Sequence, residues 1–157
     1  MPSEPRMTDD YLQYIPVDPE RRPKAKASER ALALLAAFLP RAQDISAERF
    51  ETTQIFHPCE NWAGVACPGC GVADEALEDW WMDAVRDAGD QDFADLAVTM
   101  PCCGAATSLD ALTYAAPTAF GRYLLQAQNP GADLTPAQEA ELADALGLPI
   151  RRVLMKV

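Results

Sequence analysis

The sequence predicts a mixed α+β protein: two β-α-β units folding onto one antiparallel sheet, a ferredoxin-like sandwich, with a subdomain inserted between them. Three observations predict it. Each end of the 157-residue chain carries a strand-like, helix-like, strand-like succession. The middle carries all five cysteines. That same middle stretch holds its own amphipathic helix, separate from the other two.

Residues 1–9 are polar and are expected to form a disordered tail. Tyr11 to Val17 reads as a short strand, ended by Pro16 and by Asp18-Pro19. Arg21, Arg22, Lys24 and Lys26 lead into a helix whose Ala27, Ala31, Leu34, Leu35 and Phe38 share one face, with Pro40 closing it. Ile45 to Phe56, rich in β-branched and aromatic residues, reads as a long strand. Phe120 to Ala127 reads as a third, stopped by Asn129-Pro130-Gly131. The following helix is the best marked. Thr135 is a good N-cap, Pro136 suits the first helical position, Gln138 completes a Thr-x-x-Gln capping box, and Gly147 and Pro149 end it. Ile150 to Val157 closes the chain as a strand, with Val153, Met155 and Val157 alternating. The sandwich is thus expected over 10–57 and 105–157, and the insert over 58–104. Inside the insert, Leu77, Trp80, Trp81, Ala84, Val85 and Ala88 fall at helical spacing, and Leu96, Val98 and Met100 alternate.

The cysteines are Cys59, Cys67, Cys70, Cys102 and Cys103. An odd number fits a disulfide framework poorly, whereas the spacing fits a metal. Cys67-Pro68-Gly69-Cys70-Gly71 has the CPxCG form of a zinc knuckle, a tight turn aiming two thiolates at one ion. Met100-Pro101-Cys102-Cys103-Gly104 has the same shape, with Met100 at the first cysteine position. Cys103 then matches Cys70, and Cys102 stands one place along from the expected ligand. Four soft ligands in a tetrahedron suit one structural Zn²⁺. The expected set is Cys67, Cys70, Cys102 and Cys103, making the insert zinc-ribbon-like, with Cys59 or His57 as replacements for Cys102. The competing reading is four thiols packed as small apolar residues.

Charge gives the second clue. The chain has 24 acidic and 13 basic residues, a formal charge of −11. A balance this negative argues against nucleic acid and anionic membranes as general partners. Ten of the acids lie in 58–104 against the single base Arg86, so the insert carries −9 of the total. Glu75, Asp79, Asp83 and Asp87 recur every fourth residue, where like charges repel along the helix. The reading that costs least is a solvated helix face. The functional reading is a surface for a basic protein partner, with those four residues as its contacts.

Catalytic patterns are thin. A Ser-His-Asp or Cys-His arrangement must use His57, the lone histidine, with Cys59 beside it. No HExxH, no deaminase signature and no P-loop is present. A zinc-dependent hydrolase or transferase with an open metal position near His57 is therefore the alternative expectation. A nucleic-acid regulator using Arg21–Arg30 and Arg151–Lys156 is a weaker one. The longest apolar run, Ala31–Leu39, is too short to span a bilayer, and the first ten residues lack a secretory apolar stretch. The expectation is a soluble, cytoplasmic protein.

Asp79-Trp80-Trp81-Met82-Asp83-Ala84, Phe93-Ala94-Asp95-Leu96 and Pro101-Cys102-Cys103-Gly104-Ala105-Ala106-Thr107-Ser108-Leu109 together resemble uncharacterised bacterial zinc-ribbon-containing proteins with a CPxCG…WW…PCCG pattern. The likeness covers most of the chain from Tyr11 onward. It implies that Cys102 and Cys103 act together, and it brings no activity. The function expected is non-enzymatic zinc binding, with the acidic insert docking on a basic partner in the manner of an antitoxin or immunity protein.

Overall fold

The computed structural model describes residues 8–157. In chain order the elements are β1 (Asp10–Pro16), α1 (Ala25–Phe38), β2 (Asp44–Phe56), β3 (Val65–Ala66), α2 (Glu75–Gly89), β4 (Ala97–Thr99), β5 (Ala106–Ser108), a single 3₁₀ turn (Leu109–Ala111), β6 (Thr113–Tyr114), β7 (Ala119–Gln128), α3 (Pro136–Leu146) and β8 (Ile150–Lys156). The protein is mixed α+β, with three α-helices among the described residues and a four-stranded antiparallel sheet in the order β2-β7-β1-β8.

The two central strands carry the most apolar alternation, which is why they are central. Leu12 and Tyr14 on β1, with Tyr123, Leu125 and Ala127 on β7, project from one face and are all buried. Against them pack Ala31 and Leu35 of α1 and Leu142 and Leu146 of α3. The i, i+4 spacing of each helical pair is the physical basis of this layer. Two buried phenols hold it in register. The Tyr14 hydroxyl donates to Glu139 of α3 at 2.8 Å, and Tyr123 pairs with Ser28 of α1 at 2.7 Å. The α3 capping box forms as its residues dictate, with the Gln138 amide donating to Thr135 Oγ1 and the Thr135 amide to Gln138 Oε1.

Of the expected tail, residues 1–7 lie outside the described residues. Asp9 extends the sheet, exchanging backbone hydrogen bonds with Val157 at 2.8 and 3.0 Å. Of the alternating Val153, Met155 and Val157, the first two lie in β8 and Val157 falls just past its end, and only Val153 is fully buried.

Between β2 and β7 the chain builds a second lobe. It reaches further along the sequence than residue 104. β5 pairs antiparallel with β4, and β6 with β3, as two separate two-stranded sheets, and residues up to Tyr114 pack into one apolar core. The alternation of Leu96, Val98 and Met100 marks β4, but β3, β5 and β6 are too short for a pattern, so the pairings are not legible in the sequence. Their core gathers Val65, Leu77, Trp81, Met100, Leu109 and Leu112 around Cys67, and reaches the sheet through Phe120. Phe93 meets Phe120 edge-on at 5.7 Å between ring centres. That contact joins the lobe to the end of β7.

Candidate metal centre

The cysteines sit on two turns with one backbone design. In the first, the Cys67 amide donates to Val72 O and the Gly71 amide to Cys67 O, both at 2.9 Å. In the second, the Met100 amide donates to Ala105 O and the Gly104 amide to Met100 O, again both at 2.9 Å. Gly71 and Gly104 hold φ of +78° and +75°, a conformation that a Cβ would strain, so each CPxCG-type turn needs its closing glycine. Residue for residue, Met100 occupies the place of Cys67, Cys102 that of Gly69, and Cys103 that of Cys70.

This correspondence explains how adjacent cysteines serve one centre. A Cβ added to Gly69 would stand 3.3 Å from Cys103 Sγ and 3.7 Å from Cys67 Sγ. The third position of the turn therefore faces the opposite knuckle. Cys102 holds that position in the second turn and reaches the cluster from it. Met100, in the first position, is buried in the apolar core instead.

The four sulfurs of Cys67, Cys70, Cys102 and Cys103 all lie within 4.8 Å of one another. Cys67 Sγ is 3.6 Å from Cys103 Sγ, and Cys70 Sγ is 3.4 Å from Cys102 Sγ. A tetrahedral tetrathiolate with metal–sulfur bonds of about 2.3 Å has edges of about 3.8 Å, so the donor set fits such an ion. The group could hold a metal ion with protein ligands alone. Cys67 is buried and the other three are exposed, which puts the centre at the lobe's surface with one ligand rooted in the core.

The electrostatics are uneven. Backbone amides of Cys70 and Gly69 donate to the Cys67 sulfur and hold its pKa at about 6 against the opposing effect of burial. Desolvation first, then hydrogen bonding with Cys70, Cys67 and Cys103, pushes Cys102 up to about 12. Packing four thiols together allows the first to ionise easily and makes a later one costly, and a divalent cation removes that cost by neutralising the shared charge.

Cys59 and His57 stand outside this group. The Cys59 amide donates to His57 Nδ1 at 2.8 Å, which leaves the ring proton on Nε2 when the imidazole is neutral. Cys59 forms a parallel bridge to Lys156 at the edge of β8 and is exposed. His57 stacks on Trp62, ring centres 4.9 Å apart and planes 18° apart, and burial lowers its pKa. Trp62 in turn stacks on Trp81 at 4.6 Å, and both meet Tyr114 edge-on. Trp62 and Tyr114 were not singled out by pattern. Tyr114 enters the cluster through its register opposite Val65, and its hydroxyl accepts from the Trp81 indole at 3.0 Å.

Of the four expected partner contacts, Asp83 and Asp87 line a groove between α2 and β4. Glu75 lines a different cleft beside β3, and Asp79 lines neither. The physical reason is helical pitch. Each residue turns about 100°, so a repeat of four drifts about 40° per step and about 120° from Glu75 to Asp87. The basic residues raised by the weaker alternative are partly engaged: Arg152 pairs with Asp133 at 2.6 Å, and Arg151 donates to the carbonyls of Asp110 and Thr118. Among the described residues no helix is long and apolar enough to cross a membrane. In comparisons with known proteins, no family model, no curated protein and no solved structure matches the chain.

Proposed function

We propose that this is a non-enzymatic zinc-binding protein whose acidic lobe docks on a basic protein partner, with an antitoxin- or immunity-type inhibitor as the specific role. The observation that carries the metal half is the convergence of four thiols from two turns of one design. Four thiolates complete a tetrahedron and leave no position for a catalytic water, so the ion's work is structural. It would neutralise the knuckles and tie the turn before α2 to the β4–β5 hairpin. The strand order β2-β7-β1-β8 supports the ferredoxin-like reading of the scaffold, and the paired turns support kinship with the CPxCG…PCCG bacterial proteins.

The partner half rests on charge. In 58–104 ten acids face one base, and that base, Arg86, already lies 3.2 Å from Asp83 and 3.9 Å from Asp87. A tetrathiolate zinc adds a further −2. The lobe thus carries a negative field that a cation-rich partner surface would complement, and such fields speed encounter and select the mate.

Cobalt substitution tests the metal. The expected result is one Co²⁺ per chain with an intense thiolate-to-metal absorption and a tetrahedral visible band, displaced by stoichiometric Zn²⁺. A spectrum of three thiolates plus an oxygen ligand would overturn the closed site in favour of the hydrolase or transferase alternative. Failure to bind either ion would remove the metal altogether.

A further inference from the structure

The groove between α2 and β4 has a composition that neither a solvated face nor a packed core needs. Its volume is about 430 Å³. Its walls and floor include Trp80, Ala84 and Ala88 of α2 and Val98 of β4, half-buried rather than sealed, with Leu109 fully buried at the base. Asp83 and Asp87 on one side and Asp95 on the other stand along the rim, all three exposed. The apolar lining is therefore bounded by carboxylates on both sides.

We propose that this groove is the docking site of the acidic lobe, and that its occupant is an amphipathic segment of a partner protein whose apolar side chains enter between Trp80 and Val98 while its Lys or Arg residues meet Asp83, Asp87 and Asp95. Charge complementarity chooses this occupant. An acidic or neutral apolar segment would desolvate three carboxylates that have only the shared Arg86 and, at Asp95, the Ala97 amide to offset their charge, a cost that basic residues reduce. The trench along a helix suits an extended or helical segment better than a small ligand, since apolar anchors can repeat along its length. Arg86 acts as the groove's resident counter-ion, paired with Asp83 and Asp87 and displaced by the incoming cation. This inference rests on the acidic-lobe reading and narrows it from a charged surface to one trench.

The test uses the zinc-loaded full chain and three synthetic probes: a Leu/Lys/Arg amphipathic peptide, the same peptide with Ser for Leu, and the same with Glu for its bases. Binding is read from amide and Trp80 indole shifts. The expected result is binding of the first probe only, with shifts confined to residues 80–91 and 95–99. Asp83→Asn/Asp87→Asn/Asp95→Asn should weaken it about tenfold or more, whereas Glu60→Gln/Glu75→Gln/Asp79→Asn, which removes equal charge elsewhere on the lobe, should change it less than about threefold. Ala84→Arg, with the remaining amide spectrum unchanged, should abolish it by occupying the trench. Equal weakening by both triple variants, or indifference to Leu, overturns the groove and leaves the acidic-lobe reading standing. No binding of the basic probe to any form overturns both.

Discussion

At the scale of single residues, the closing glycine and the third position of each knuckle determine what the cysteines can do. Cys67 is the ligand with a structural role beyond coordination, because it alone is buried in the lobe's core and its sulfur receives two backbone amides. Cys67→Ser and Cys70→Ser are expected to lower zinc-loaded stability by several kcal/mol, since each opens the metal site. Cys59→Ser, at the exposed edge of β8, should stay within about 0.5 kcal/mol. Denaturant unfolding of the three variants checks this, and a Cys59 effect as large as the others would bring that residue into the centre. His57 supplies a pH signature. Burial lowers its folded pKa below the ordinary value near 6.5, so the unfolded chain binds its proton first. Its contribution is fully present above the unfolded pKa and is lost as pH falls through that value towards the folded one. The wild type should therefore lose more stability than His57→Gln between neutral and mildly acidic pH, with quenching of the stacked Trp62 on protonation. Parallel stability profiles for the two proteins would contradict this.

Between elements, close approach sets the tolerances. Gly121 of β7 lies opposite Gln54 of β2, beside the register shift between Arg49 and Gln54. A Cβ there would come within 2.6 Å of Ile15 Cγ2, and Ile15 is fully buried and branched at Cβ. The neighbour cannot swing aside. Gly121→Ala should therefore destabilise by about 1–3 kcal/mol despite the lower backbone entropy of alanine, a difference that thermal or denaturant melting would register. A neutral result would mean that β1 and β7 slide apart freely at that point. The helices follow simpler rules. α3 starts at its capping box, and α2 starts where Asp74 Oδ1 accepts from the Leu77 amide at 2.8 Å. The α3 start is legible in the sequence because a capping box is a local hydrogen-bond pattern, whereas the Asp74 cap emerges only from the structure.

The whole molecule divides by core rather than by chain segment. One core lies between the sheet and α1 and α3, another surrounds Cys67 in the lobe and takes in Phe120 of β7, and a smaller third gathers Ile15, Phe56, Ala119, Leu124 and Val153 of the four long strands. Removing the metal should therefore act locally. With a chelator at neutral pH, hydrogen exchange is expected to accelerate across residues 62–114 while the amides of β1 and β7 stay protected. Simultaneous loss of protection in both would show one cooperative unit instead of separately stable cores. The sequence by itself determined what depends on neighbours within a few positions: the three helices and the capping box of α3, the four long strands, the two knuckles, and the ten-to-one excess of acids in 58–104. It also raised Cys102 as a ligand while leaving Cys59 and His57 in contention. Only the tertiary structure decided which sulfurs converge, because that depends on the third turn position facing the opposite knuckle, a relation between segments more than 30 residues apart. It likewise decided that β5 and β6 close the lobe, since two- and three-residue strands exist only by virtue of their partners. The same holds for the acidic stripe, whose split between two clefts follows from helical drift against neighbours that sequence spacing does not place.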